Sequence, residues 1–343
     1  MFSLMTRHTI PFVAFLVLAL IVATDALAEP LWERIEGGPD TGCALGTPFF
    51  FWVHRGAPDR LAIYLRGGGA CWSKNTCDPD LQPSYVWSID GVDAPAHGLA
   101  QFGNPDNPVR DYTMVYVPYC TGDLHLGTRD VTYANNLTIR HRGRANVDAA
   151  LGWVYRNIAA PEIILVAGGS AGALPSPVFA LEVARRYSDA RVVQIGDGAG
   201  AFRRAASLTQ WGAVDGLKRD PAFAAMDPAS PSYLELYEMV NQAMPRVQLA
   251  QINSAEDSVQ RHYLKLRGSA ETRVAAWLGR NMTQLRRLIP GFRSYSVPGT
   301  LHTVLVRPQF YATAFGDLPL NEWVANLLNG TPVTDIGKEL LIH

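Results

Sequence analysis

Apolar positions along this chain come in short blocks separated by polar, turn-forming stretches. Runs rich in Val, Ile, Leu and aromatic residues occupy 47–54, 61–65, 114–118, 163–167, 191–195, 247–252 and 292–297, each bounded by Gly, Pro, Asp or Asn. They have strand length, and several are apolar at successive positions, as strands buried on both faces are. Helical periodicity appears between them. The segment 144–157 sets Val147, Ala150, Leu151 and Val154 on one face, and 171–187, 271–288 and 321–328 are further helical segments. Strands alternating with helices predict an α/β fold, a mostly parallel central sheet with helices on both faces and function at the strand C-termini.

Two stretches depart from the alternation. Residues 78–107, rich in Pro, Gly and Asp, read as a long loop over one sheet edge. Residues 200–243 have helical composition but are interrupted at Pro221, Pro228 and Pro231, so a helical cap insertion within 200–246 is expected beside the site. No linker divides the chain. Its start has another character: Arg7 and His8, an apolar run from Pro11 to Ala23, then Ala26-Leu27-Ala28 before Glu29. That order predicts a cleaved signal peptide over 1–28 and one catalytic domain over 29–343, secreted or periplasmic. The rival is an uncleaved anchor, for which the run is short against the ~20 residues of a bilayer span. No stable membrane anchor is expected once the leader is removed.

Composition narrows the classes. Hydrophobic residues make up 48% of the chain, ample for a large core, and the formal net charge is −1, which lacks the basic footprint of a nucleic-acid binder. Near-neutrality argues against strong steering of a polyanion and leaves room for a local patch. The four cysteines, Cys43, Cys71, Cys77 and Cys120, allow three pairings into two disulfides in an exported protein. Cys71 and Cys77 are close enough to staple a short loop, which leaves Cys43 with Cys120. No zinc spacing is present, so no metal is expected.

Chemistry concentrates around Gly168-Gly169-Ser170-Ala171-Gly172, directly after the run 163–167. Strand, G-x-S-x-G and helix in that order make a nucleophile elbow, with Ser170 exposed on a strained turn. A serine nucleophile needs a base, a group orienting that base, and donors for the oxyanion. Gly67-Gly68-Gly69-Ala70 follows the strand 61–65 as the oxyanion loops of esterases do, so the N–H groups of Gly69, Ala70 and Ala171 are the candidate donors. His302, in a loop after the last strand, is the candidate base, and His125, upstream of the serine, its rival. Asp257, in a loop after 247–252, is the candidate acid, with Asp197 and the adjacent Glu256 as alternatives. Trp72, Tyr119, Asp123 and Trp211 are candidates to line the substrate site.

These motifs together resemble the pectin acetylesterase/Notum family of carboxylesterases, in a bacterial-type form. The resemblance rests on Cys43-Ala44-Leu45-Gly46-Thr47-Pro48, the Gly67-Gly68-Gly69 loop with Cys71, the run from Val115 to Asp123, the Ser170 elbow, and Asn253-Ser254-Ala255-Glu256-Asp257-Ser258. It implies an α/β-hydrolase-like fold, a Ser170–His302–Asp257 triad, no cofactor, and the pairs Cys43–Cys120 and Cys71–Cys77. Ala70 stands where many relatives carry tryptophan, and Arg66 where an acidic or amide residue is usual. The expected activity is hydrolysis of a small acyl ester, with an acylated polysaccharide such as pectin as substrate and no nucleic-acid partner. The alternatives are an esterase, lipase or polyester hydrolase for longer acyl chains, and a non-catalytic binding protein of the same fold. Asn136-Leu137-Thr138 and Asn281-Met282-Thr283 are glycosylation sequons, meaningful where the host glycosylates.

Overall fold

An eight-stranded sheet organises the molecule. In the computed structural model, which describes residues 31–341, its strands are β1 (Glu33–Glu36), β2 (Phe50–His54), β3 (Ala57–Leu65), β4 (Tyr112–Val117), β5 (Ile163–Gly169), β6 (Arg191–Asp197), β7 (Gln248–Ser254) and β8 (Arg293–Val297). The expected signal peptide lies outside the described residues. The spatial order is β1-β2-β4-β3-β5-β6-β7-β8. Pairing is antiparallel from β1 to β2 and from β2 to β4, and parallel from β4 through to β8. This mostly parallel sheet with helices around it is an α/β-hydrolase-like fold.

The helices are α1 (Gly143–Asn157), α2 (Ser176–Arg186), α3 (Tyr233–Ala243), α4 (Ser258–Leu266), α5 (Val274–Leu288) and α6 (Leu320–Asn329), with shorter turns between. Strand alternation sorts the core into two layers. Leu61, Ile63, Leu65, Val115, Val117, Ile164 and Val166 face α1, α2, α3 and α5, while Ala62, Tyr64, Met114, Tyr116, Leu165 and Ala167 face α6 and the loops around Leu99 and Phe310. Successive side chains point to opposite faces. A strand interior to a parallel sheet is therefore apolar throughout, and β4 is buried at every position.

Every strand expected from the apolar runs is present. Those the sequence reading lacks are β1 and the hairpin Arg129–Tyr133 with Leu137–His141, both polar and largely exposed, and the two-residue pair Ala314–Phe315 with Leu318–Pro319. The loop 78–107 is irregular and reaches the β1–β2 edge, where Phe102 stacks on His54 (ring centroids 3.6 Å apart) and packs against Trp32 (5.5 Å). Its Val86 N–H donates to the Gly68 carbonyl (2.8 Å), at the C-terminal end of the interior strand β3. The segment 200–246 holds two short helices, Ser207–Gln210 and Ala213–Leu217, then α3, and its Leu208, Trp211, Leu236 and Val240 join the core that covers the sheet. Among the described residues no helix is long and apolar enough to cross a membrane.

Candidate active site

At the end of β5 the chain turns sharply. Ser170 has φ +54°, the left-handed region that costs an L-residue about 1–2 kcal/mol. Small neighbours make the turn possible. A Cβ on Gly168 would strike the Gly172 carbonyl, and one on Gly172 would strike the Leu65 carbonyl of β3. The expected helix 171–187 does not start at the elbow. Ser170–Gly172 is a single 3-10 turn, and α2 begins only at Ser176. Pro175 caps that helix and Pro177 lies in its first turn, where a missing N–H is harmless.

The glycine loop lies directly on this elbow. A Cβ on Gly67 would meet the Gly169 carbonyl and the Ser170 side chain. Gly69 (φ +78°) turns the loop, and among the described loop and side-chain hydrogen bonds neither its N–H nor that of Ala171 is used. Ala70 differs from expectation. Its N–H is donated to the Ser84 carbonyl at 3.3 Å, an oxygen that also accepts the Tyr263 hydroxyl. The loop 78–107 has thus occupied one of the three expected donors. The methyl group of Ala70 remains on the cavity wall.

His302 follows β8, and its Nδ1–H donates to Asp257 Oδ2 at 2.7 Å. Asp257 follows β7, is fully buried, and caps α4 through Oδ1, which accepts the N–H groups of Val259 and Gln260, both at 2.9 Å. Gln260 Nε2 donates to Oδ2 at 3.1 Å. A helix N-terminus favours a carboxylate both by these donors and by its dipole. Glu256 is exposed. Asp197 makes no hydrogen bond to the imidazole. Its Oδ2 accepts the N–H groups of Val304 (2.7 Å) and Leu305 (2.8 Å), pinning the segment that carries His302, and burial pushes its carboxyl up to about 6. His125 donates Nε2–H to the Arg66 carbonyl (2.8 Å), and burial pulls its imidazole down to about 4. Ser170 and His302 face the same space without a direct hydrogen bond, a common looseness of unliganded sites.

Two cavities meet at Ser170 and His302. One, narrow at about 30 Å³, is walled by Ala70, Trp72, Leu124, Leu174, Phe202 and Trp211, with Tyr233, Tyr263 and Arg267 completing it. The guanidinium of Arg267 stacks over Trp72 at 5.2 Å. The other, wider and more polar at about 560 Å³, runs past Arg66, Gly67, Gly68, His97 and Arg307.

Of the expected lining residues, Trp72 and Trp211 are in the first cavity, and Tyr119 and Asp123 are in neither. Tyr119 is buried beneath the glycine loop, where a Cβ on Gly68 would touch its ring, and its hydroxyl accepts the Leu124 N–H at 2.8 Å. Asp123 is fully buried. It accepts Thr121 Oγ1–H (2.6 Å) and the N–H groups of His125 (3.1 Å) and Gly143 (2.6 Å), and burial pushes its carboxyl up to about 6. Leu124, Leu174, Phe202, Tyr233 and Tyr263 were absent from the sequence reading, since they converge from five separate segments without a shared motif.

Cys43–Cys120 and Cys71–Cys77 are disulfide-bonded, and no cysteine is free. His141 approaches the second pair, but disulfide sulfurs are not thiolate ligands, so this cluster offers no metal site while oxidised. Asn281 is fully buried and donates Nδ2–H to the Gly200 carbonyl (2.9 Å), which removes its sequon from the surface, whereas Asn136 is exposed.

The chain is 36% identical over 72 residues to the palmitoleoyl-protein carboxylesterase NOTUM of Schmidtea mediterranea. That match covers 19% of this chain and 13% of the relative's length, so the two are comparable over a short stretch only. The sequence profile of the pectinacetylesterase family reaches further, matching residues 37–217, a span that contains both disulfides, the glycine loop and the Ser170 elbow. With more than half of its length matched in this way, the chain belongs to the pectinacetylesterase family.

Proposed function

We propose that this protein is an exported serine carboxylesterase that hydrolyses small acyl esters, O-acetyl groups on a polysaccharide such as pectin above all. Residues 29–343 act as one catalytic domain, with 200–246 walling the acyl side of the site. The reading is carried by one observation: an imidazole bound to a buried carboxylate at 2.7 Å opens onto the same cavities as a serine on a strained elbow.

Ser170 Oγ attacks the ester carbonyl while His302 Nε2 takes its proton, and Asp257 holds Nδ1 protonated and stabilises the imidazolium. The oxyanion is received by the free N–H groups of Gly69 and Ala171, and Ala70 would join them only by leaving Ser84. The alcohol departs with the proton from His302. Water, deprotonated by the same nitrogen, then releases the acid. The acyl group occupies the narrower cavity, whose small volume suits a short chain better than a long hydrocarbon. Two disulfides support an oxidising, extracytoplasmic destination.

A fluorophosphonate probe tests the mechanism, with stoichiometric labelling expected in the wild type and none in Ser170→Ala. A series of nitrophenyl esters then tests the acyl group, with acetyl the best substrate. Labelling that survives Ser170→Ala would remove Ser170 from its role.

A further inference from the structure

Five residues line both cavities: Gly69, Ser170, Val259, Tyr263 and His302. Three of them belong to the proposed machinery. The other two, Val259 and Tyr263, stand four apart on α4 and so share one face of that helix. Arg267, four residues further on, continues the row and lies over Trp72 on the wall of the narrow cavity. Tyr263 is thus the one large side chain at the junction that the acyl-enzyme mechanism does not use.

Its ring is held at both ends. The backbone is set by α4, which Asp257 caps, and the hydroxyl donates to the Ser84 carbonyl. Ser84 is itself fixed. Its N–H donates to the Thr76 carbonyl (3.0 Å), inside the loop closed by Cys71–Cys77, and its Oγ–H donates to the Ala70 carbonyl (2.7 Å). The ring meets Phe202 edge-on, with centroids 6.5 Å apart and planes at 90°. A Cβ on Gly69 would strike both the Tyr263 hydroxyl and the Ser84 carbonyl, so the space beside that loop is given to the tyrosine. An acyl chain that grew toward the wide cavity would have to displace an anchored aromatic ring, breaking a hydrogen bond and overpacking the wall.

We infer that Tyr263, anchored on Ser84, is the partition between the two cavities and the residue that limits the length of the acyl chain. This rests on the carboxylesterase reading for the place of the acyl group, and it assigns the preference for a short chain to one side chain and its anchor. Without the ring the narrow cavity opens into the wide one, and added methylenes find apolar surface there instead of a clash.

The test measures kcat/KM for para-nitrophenyl acetate and para-nitrophenyl hexanoate on the wild type, Tyr263→Phe and Tyr263→Ala. The leaving group is the same in both esters, so their ratio isolates the acyl side. Hexanoate should be the poorer substrate of the wild type, and the hexanoate-to-acetate ratio should rise about tenfold or more in Tyr263→Ala, the scale on which a pocket discriminates methylenes. A smaller rise is expected in Tyr263→Phe, whose ring remains but is no longer anchored. Damage to the fold or to the machinery lowers both esters together and leaves the ratio alone, and the near-isosteric Tyr263→Phe reports even if Tyr263→Ala folds poorly. A ratio unmoved in both variants, with acetate still hydrolysed, overturns the partition and leaves the esterase reading standing. A ratio raised in Tyr263→Ala and unmoved in Tyr263→Phe overturns the role of the Ser84 anchor.

Calorimetric titration with acetate and hexanoate, the product acids, separates the opposite failure. Hexanoate affinity that rises about tenfold from the wild type to Tyr263→Ala, while neither ester is turned over, would keep the partition and overturn the esterase reading. Neither turnover nor a change in hexanoate affinity overturns both.

Discussion

Asp257 meets His302 through Oδ2 alone, at 2.7 Å, because its other oxygen is committed to the helix behind it. One buried carboxylate thus starts α4 and holds the imidazole, and the rigidity of the helix is passed to the proposed base. Asp197 complements it by gripping the backbone two and three residues beyond His302. One carboxylate orients the ring, and the other fixes the segment that bears it.

Removing the proposed nucleophile should separate activity from stability. Ser170→Ala is expected to lower kcat by on the order of a million-fold with the fold retained. Ser170→Gly should be equally inactive but more stable, by up to about 1 kcal/mol, since glycine occupies φ +54° without strain. Thermal melts of the three proteins read this, and a glycine variant less stable than the alanine variant would show that the elbow is not strained.

Asp257→Asn should keep the helix cap, because asparagine caps as well as aspartate. It would nevertheless leave the imidazole in the wrong tautomer and cost roughly ten-thousand-fold in kcat. Asp197→Asn should cost far less, as an amide oxygen still accepts the Val304 and Leu305 N–H groups. Kinetics of the two variants decide the assignment, and a reversed order of effects would give the acid's role to Asp197.

Asp197 also has a pH signature. Its carboxyl is raised by burial from the ordinary 3.8 to about 6, so between those values the folded protein holds a proton that the unfolded chain has lost. Its contribution to stability is therefore greatest at low pH and falls as pH rises through about 6. The melting temperature of the wild type relative to Asp197→Asn should be higher at pH 5 than at pH 7. A difference that does not change with pH would mean that Asp197 titrates normally.

Ala70 tests the acyl wall. With its methyl group beside Trp72 and Leu124, Ala70→Trp should lower acetyl-ester activity modestly and longer acyl esters disproportionately. An unchanged chain-length profile across nitrophenyl esters would place the acyl group elsewhere.

The glycines of the elbow should be intolerant. Gly172→Ala sets a methyl group against the Leu65 carbonyl, part of a sheet strand that cannot yield, and is expected to cost about 1–3 kcal/mol with loss of activity. Gly103→Ala, whose added methyl group would meet nothing within 4 Å, serves as the control. Equal denaturation midpoints for the two variants would contradict the packing of elbow on β3.

Local chemistry was legible in the sequence. Apolar runs marked the interior strands because both their faces are buried, and the elbow declared itself because strand, small residues and serine stand together in one short segment, although the carbonyl that keeps Gly172 small, that of Leu65, comes from β3. Chain order favoured His302 over His125 but fitted Asp197 as well as Asp257, and it is the fold that brings Asp257 to His302 and turns Asp197 to the backbone beyond it. Edge elements escaped notice since a strand such as Glu33–Glu36 buries little and needs no apolar pattern. What only the tertiary structure decided depends on partners distant in sequence. Ser84 claims the N–H of Ala70, and the backbone of Gly143 draws Asp123 inward, away from the cavity. Asp197 holds the segment that follows His302, and Arg66 and Arg307, far apart in the chain, come to face one cavity. Residue type and spacing dictate what a short segment can do. Which donors remain free, and which charges remain unpaired, is set by neighbours that arrive only when the sheet closes.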